Sequence, residues 1–425
     1  MRYYSTRSKN DPVSFAKAAL TGLAPDGGLY VPEEIPRYPK NVLTSLGTME
    51  YTDIAYETIL PWVKDDIPAA ILADMIHSAY TFDVPLVNVG GRQVLELFHG
   101  PSAAFKDFGA RFMAHAFSYL RRNEERPLKI LVATSGDTGG AVAEGFFGME
   151  GITVTVLYPK GKVSPLQEKQ IAGLGGNVSA IAVEGSFDDC QRLVKEAFSD
   201  VSLNARLVLS SANSINISRL IPQAAYYASA AGKAPQSVIV VPSGNFGNLT
   251  AGLYALKMGA PIERLIAATN INKTVPDFLK SGNYETRTSQ ATLSSAMDVG
   301  APSNFERMAS HFTWEEMKGI ITGESVSDEE TRQTITDVYR QCSYCLDPHS
   351  AVGWKAVDKF RESGALNETS QVIIVSTAHP AKFAEITQPL IGTVPLPPSL
   401  VKVNERIVKA VTVPANLESL KENLY

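Results

Sequence analysis

The chain has 425 residues, 44% of them apolar and 20% charged, with a formal net charge of −5. That length exceeds what a single hydrophobic core serves, so two domains are expected, and the acidic balance argues against a dedicated nucleic-acid surface. No apolar run approaches the roughly 18 residues that cross a bilayer, the start MRYYSTRSKNDPVSF lacks the apolar stretch of a secretory signal, and three cysteines cannot build a disulfide framework. A cytoplasmic protein without membrane or nucleic-acid partners is expected.

Residues 1–90 mix turn signals (LAPDGGLYVPEEIP) with helical stretches (DIAYETILPWV, AAILADMIHSAY) and read as an N-terminal cap subdomain. From about residue 91 short β-rich runs alternate with helical patterns. VLELF comes first, then KILVAT with GGAVAEGFFGM, ITVTVLYP with SPLQEKQIAGL, and VSAIAVEG with FDDCQRLVKEAFSD. LVLSSA with ISRLIPQAAYYASAA, SVIVVPSG with NLTAGLYALKMG, RLIAATN, and QVIIVSTAHP after SAVGWKAVDKFRES continue the series. Continuously apolar strands separated by helices predict parallel sheets covered on both faces, an α/β class of two doubly wound, mostly parallel-sheet domains. Residues 91–212 are expected to form a smaller α/β domain and 213–425 a larger one. Long loops are expected over 270–310, and a Pro-rich segment with a helical tail over 391–425.

Ligands of such sheets gather outside the carboxyl ends of the strands, so the strand-to-helix turns carry the functional expectations. In VVPSGNFGN (240–248), Gly244, Asn245, Phe246, Gly247 and Asn248 form a glycine turn that opens a helix, a cradle for a phosphate group. It lacks both the GK[ST] ending of a nucleotide loop and the GxGxxG spacing, so ATP and NAD are poor ligands. In ATSGDTGGA (133–141), Ser135 and Thr138, beside Thr134 and the turn amides, suit a carboxylate, while Asp137 in this motif by itself reads first as a helix cap. SANSINISR (211–219) offers Ser214, Asn216 and the bidentate fork of Arg219, and IVSTAHPAKF (374–383) ends a buried strand on Ser376 and Thr377. Cys342 and Cys345, with His349 four residues on, trail a helical pattern and lack a fourth ligand, so no metal site is expected there.

Lys106 stands in HGPSAAFKDFGARFMA, flanked by Phe105, Phe108 and small residues. Such surroundings desolvate an ammonium group and favour the neutral amine that a Schiff base requires. A reactive lysine, a phosphate cradle and a carboxylate turn in one chain point to pyridoxal 5′-phosphate as cofactor.

The stretches LAPDGGLYVPEEIP, LFHGPSAAFKDFGARFMA, ATSGDTGGAVAEGF, LYPKGKVSPLQEKQ, NSINISRLIPQ, VPSGNFGNLTAG, ATNINKTVPDFL and STAHPAKF run in order from near residue 20 to near 385. In them the chain resembles the threonine synthases, fold-type II pyridoxal-phosphate enzymes related to the tryptophan synthase β subunit. The resemblance implies conversion of O-phospho-L-homoserine and water to L-threonine and inorganic phosphate by γ-elimination and β-addition. It further implies that Lys106 in the smaller domain forms the Schiff base, that the 244–248 turn of the larger domain holds the cofactor phosphate, and that Thr377 meets the pyridine nitrogen. Asp137 is placed near the 3′-oxygen, where relatives often have Asn, so an anion there alters the proton sharing with the lysine. For the substrate it implies Ser214, Asn216 and Arg219 at the phosphate, Ser135 and Thr138 at the carboxylate, and Ser102 assisting. Lys160 and Lys162 are expected in a solvated loop, and the state is expected to be monomer or homodimer. A serine/threonine dehydratase, an O-acetylserine sulfhydrylase and a catalytically silent relative are the alternatives.

Overall fold

The computed structural model describes residues 1–424. Its strands in chain order are β1 (Tyr3–Ser5), β2 (Tyr30–Pro32), β3 (Leu86–Val89), β4 (Arg92–Glu96), β5 (Leu128–Ala133), β6 (Ile152–Pro159) and β7 (Val178–Glu184). They continue with β8 (Val208–Ser211), β9 (Ser237–Pro242), β10 (Ile262–Thr269), β11 (Ile321–Ser325), β12 (Val372–Ser376) and β13 (Ala410–Pro414). A six-stranded sheet has the order β11-β10-β9-β12-β4-β3 and a five-stranded sheet the order β13-β7-β6-β5-β8, with β1 and β2 pairing separately. Every pairing within the two large sheets is parallel except the β3–β4 hairpin. That hairpin turns on Gly90 and Gly91, both at positive φ, as a two-residue loop between right-twisted strands requires.

The apolar runs form strands because both of their faces are covered. Every residue of β9 (SVIVVP) and of β12 (VIIVS) is buried, the signature of central parallel strands. The N-terminal helices Tyr51–Val63 and Ala69–Ala79 bury Ile54, Ile59, Trp62, Leu72 and Ile76 in the same apolar cluster as Phe108 and Phe112 of the helix Lys106–Leu120.

Sheet membership cuts across the division drawn from chain order. Strands β3 and β4 lie beside β12 in the six-stranded sheet, although residue 91 was expected to open the smaller domain. Strand β13, within the tail expected to be helical, completes the five-stranded sheet on β7. Its sequence AVTVP is β-prone, and its partner lies more than two hundred residues upstream, beyond the reach of local pattern. Over 270–310 the chain is irregular between about 282 and 294, yet it includes the helices Thr274–Ser281 and Asn304–His311.

Candidate active site

The turns after β4, β5, β8, β9 and β12 all leave the carboxyl ends of parallel strands and meet between the two sheets, Asn245 bonding Ser214, Asn213 bonding Ala133 O, and Lys382 reaching both Asp137 and Ser102 O. After β9 the chain passes tightly under the loop at 295–297. A Cβ on Gly244 would lie 2.6 Å from the Met297 Cα, so only glycine fits. Phe246 follows in the left-handed region (φ 60°, ψ 10°) as the N-cap of the helix Gly247–Met258, a strained conformation costing about 1 kcal/mol or more. It aims the first free amides of the helix into the concavity. The Asn245 side chain is committed to donating to Ser214 Oγ at 2.7 Å and accepting from the Ser303 amide at 2.6 Å. Asn248 Oδ1 accepts from the hydroxyls of Tyr226 and Tyr227, while its buried Nδ2 has no partner.

The turn after β5 is built differently. Thr134 is its organiser: the Oγ1 accepts from the amides of Gly136 (2.9 Å) and Gly139 (2.8 Å). Gly136 has φ 145°, and a Cβ there would strike the Gln167 amide at 2.6 Å. Ser135 and Thr138 remain half-buried with hydroxyls uncommitted to other described residues. Asp137 is buried at the first turn of the helix Asp137–Phe146, where it accepts from Gln167 Nε2 at 3.0 Å. It also pairs with Lys382 Nζ at 2.8 Å. Burial alone would raise this carboxyl, but Lys382, Lys106 and His349 override that and hold it well below the usual carboxylate range.

Lys106 opens its helix after Ala103, a non-glycine residue at φ 52°. The preceding loop is fixed to the turn after β12 by Phe105 N–H donating to Thr377 O (2.8 Å) and His379 N–H donating to Ala103 O (3.0 Å). Lys106 is half-buried and makes no ion pair within 4 Å among the described residues. Desolvation pushes its amine down to about 8, with Asp137 opposing and the charges of Arg219 and Lys382 reinforcing the shift. The adjacent Asp107 is driven the other way: burial raises it to about 7, although its Oδ2 accepts the Ser102 amide at 2.9 Å. Ser102 is fully buried with its Oγ unpartnered. Thr377 is buried at the end of β12, its hydroxyl free of other described residues.

In the turn after β8 the structure separates three residues that the sequence grouped. Arg219 is 2% exposed, donates from Nη1 to Ala212 O at 2.7 Å and leaves Nε without a partner. Its backbone packs so closely on the Lys106 helix that a Cβ on Gly109 would come within 2.5 Å of Arg219 O. Ser214 faces the glycine turn through Asn245. Asn216 departs from the expected substrate contact. Its Nδ2 donates to Ala19 O and Ser211 O, and its Oδ1 accepts from the Ser218 N–H and hydroxyl, so all its bonding capacity goes into shaping the loop. Lys160 and Lys162 are exposed, Lys160 3.3 Å from Glu184.

Three buried titratable groups near the site escaped the sequence reading. Lys382 lies in a quoted motif, HPAKF, directly after a strand end, and a lysine at such a turn was a usable signal. Asp107 sits next to Lys106. His349 was weighed only beside the cysteines, whereas its Nδ1 is 2.6 Å from Asp347 Oδ2 and its buried Nε2 is unpartnered. Cys342 and Cys345 are free thiols.

An amine outside any ion pair, a turn of inward amides closed to any side chain at Gly244, and unpaired Ser102 Oγ, Asn248 Nδ2 and Arg219 Nε fit pyridoxal phosphate with a second anionic ligand. Comparison with known proteins agrees. Residues 94–378 match the family described as pyridoxal-phosphate dependent enzyme, residues 2–80 the threonine synthase N terminus, and residues 350–423 the threonine synthase C-terminal family. The chain is 42% identical over 409 residues to threonine synthase of Escherichia coli K12, covering 95% of this chain and 94% of that one. It is 44% identical over 413 residues to that of Haemophilus influenzae, with 95% and 94% covered. The crystal structure of the Escherichia coli threonine synthase superposes with a TM-score of 0.92 at 41% identity, covering 100% of this chain and 99% of that chain. A pyridoxal-phosphate-bound threonine synthase from Brucella melitensis superposes with a TM-score of 0.92 at 37% identity, covering 100% and 98%.

Proposed function

Because the chain belongs to the threonine synthase family of pyridoxal-phosphate-dependent enzymes, we propose that its cleft takes O-phospho-L-homoserine and that the residues above divide its conversion to threonine among them. The activity is that of a threonine synthase, a lyase of threonine biosynthesis, with pyridoxal 5′-phosphate as cofactor. Lys106 would hold the cofactor aldehyde, the amides of 244–248 its phosphate and Thr377 its ring nitrogen, with Asp137 as the acidic group that the family resemblance assigns to its 3′-oxygen. Bound there, the cofactor supplies a conjugated ring over which charge left at the substrate Cα spreads.

The protein's own contribution is binding, proton movement and exclusion of water. Ser135, Thr138 and neighbouring amides hold the substrate carboxylate. Arg219, desolvated and with Nε free, directs the doubly charged phosphate so that its Cγ–O bond lies ready to break. Lys106 would take the Cα proton, give it up again to the bound ligand, and only then take a Cβ proton, the protons being returned at Cγ and Cα as threonine forms. An amine held near 8 is both neutral often enough to accept a proton and basic enough to keep it. Phosphate leaves from Cγ, and water adds at Cβ after elimination. Thr377, a hydroxyl rather than a carboxylate, does not enforce a protonated ring nitrogen, which restrains how far charge drains from the substrate.

The observation that carries this division is the convergence of separate turns on Lys106: Lys382 joins Asp137 to the Ser102 carbonyl just before it, and Arg219 packs on Gly109 of the Lys106 helix. Borohydride reduction followed by peptide mapping tests it, with a single pyridoxyl adduct expected on Lys106. Phosphate release from O-phosphohomoserine is expected to exceed turnover of L-serine or L-threonine, and turnover of threonine alone would overturn the substrate assignment. The smaller α/β domain carries the lysine and the carboxylate turn, the larger one the phosphate cradle. We place the enzyme, as monomer or homodimer, in the cytoplasm, in keeping with three free cysteines.

A further inference from the structure

We propose that Lys382 is a positioning residue of this site: it engages Asp137 so that the carboxylate is withheld from Lys106, and thereby sets how readily Lys106 sheds its proton. The proposal rests on Lys106 being the cofactor-bearing amine. Lys382 is 1% exposed and follows β12 of the six-stranded sheet, whereas Asp137 begins a helix after β5 of the five-stranded sheet. Its Nζ lies 2.8 Å from Asp137 Oδ1 and donates to Ser102 O at 2.7 Å. Both acceptors are also held by the helix Pro165–Ala172, Gln167 Nε2 donating to Asp137 and Gln170 Nε2 to Ser102 O at 3.0 Å each. The ammonium is therefore fixed in place.

A buried ion pair is a poor source of stability, because desolvating two charges offsets most of their attraction. A methionine of similar volume would fill the space, so the retained pair calls for another role. The charges around it supply one. Asp137 faces Lys382, Lys106 and His349. Lys106 faces Asp137, Arg219 and Lys382. Lys382 also bears on Asp107 and His379. One carboxylate thus acts on two amines, and Lys382, in direct hydrogen-bond contact with it at 2.8 Å, takes the larger share of its field. Without Lys382, the full charge of Asp137 would fall on Lys106 and hold it as an ammonium, which is neither nucleophile nor base.

The test is a pH titration of the visible band of the lysine-bound cofactor in the holoenzyme. In Lys382→Met the alkaline midpoint is expected to move to about tenfold lower proton concentration, and in Asp137→Asn to move the opposite way by a similar factor. Lys382→Arg is expected to restore the parent midpoint to within about twofold. A merely structural lysine would not produce shifts of opposite sign. If Lys382→Met fails to fold, Lys382→Gln, which keeps a donor for Ser102 O, serves in its place. Unmoved midpoints, or shifts of the same sign in the two variants, overturn the proposal when borohydride mapping still finds the adduct on Lys106. An adduct on another lysine overturns the assignment of Lys106 and this proposal together.

Discussion

The turns after β5 and β9 share one plan, a buried strand, a glycine bend and a helix start, yet they are finished in different ways. At 244–248 the side chains are largely spent on the protein, Asn245 on Ser214 and Ser303 and Asn248 Oδ1 on two tyrosines, and what is left for a ligand is backbone and the one free Asn248 Nδ2. At 134–138 one side chain, Thr134, ties up the backbone, and what remains available is the pair of hydroxyls of Ser135 and Thr138 beside a charged Asp137. A cradle of amides is rigid and suits a group that stays. A set of hydroxyls adjusts to ligands that come and go.

The largest expected effect lies between the two turns, at the amine both serve. Lys106→Ala is expected to lower kcat by at least about a thousandfold and to abolish the borohydride adduct, since covalent anchoring and proton transfer are lost together. In Gly244→Ala the added Cβ meets the Met297 backbone at 2.6 Å, which cannot give way as a side chain can. Cofactor Kd should rise about 30- to 100-fold, with a stability loss of about 1–3 kcal/mol in chemical denaturation. Ser135→Ala should differ in kind. Losing one hydrogen bond to substrate costs about 1 kcal/mol, a fivefold rise in KM with cofactor Kd unchanged. Equal effects of Gly244→Ala and Ser135→Ala on cofactor binding would erase the distinction between the turns.

Smaller effects come from the paired neighbours Lys106 and Asp107. With its amine at about 8, native Lys106 binds fewer protons than the unfolded chain between about pH 8 and 10.4, so the cofactor-free protein gains stability as pH rises through that window. Asp107, at about 7, binds more protons than the unfolded chain between about pH 4 and 7, so stability falls as pH rises there. Lys106→Met should flatten the alkaline slope and stabilise the cofactor-free protein at pH 7 by about 1–2 kcal/mol. Asp107→Asn should flatten the acidic one. Denaturation midpoints measured from pH 4 to 10 check both, and parallel curves for parent and variants would contradict the burial of these charges.

Lys106, the 244–248 turn and the hydroxyls at 135, 138 and 377 could be proposed from the sequence because each depends on a few consecutive residues: a strand, a bend, and the group the bend presents. Asn216 has a use in the fold that its sequence does not show, for the opposite reason. Its neighbours in sequence suggest a ligand contact, but its partners include Ala19 O, and only the folded chain brings that carbonyl near. The strand Ala410–Pro414 was hidden in the same way, since AVTVP becomes a strand by pairing with residues 180–184.

Local order therefore determined the alternation of strands and helices, the α/β class and the candidate lysine, because hydrophobic periodicity and turn chemistry act over a few residues. Which strands share a sheet, and which buried charge answers which, were decided by packing. Lys382 and Ser102 are 280 residues apart in the chain and 2.7 Å apart in space. An electrostatic partner is chosen by distance through the folded interior, a quantity that sequence spacing does not contain.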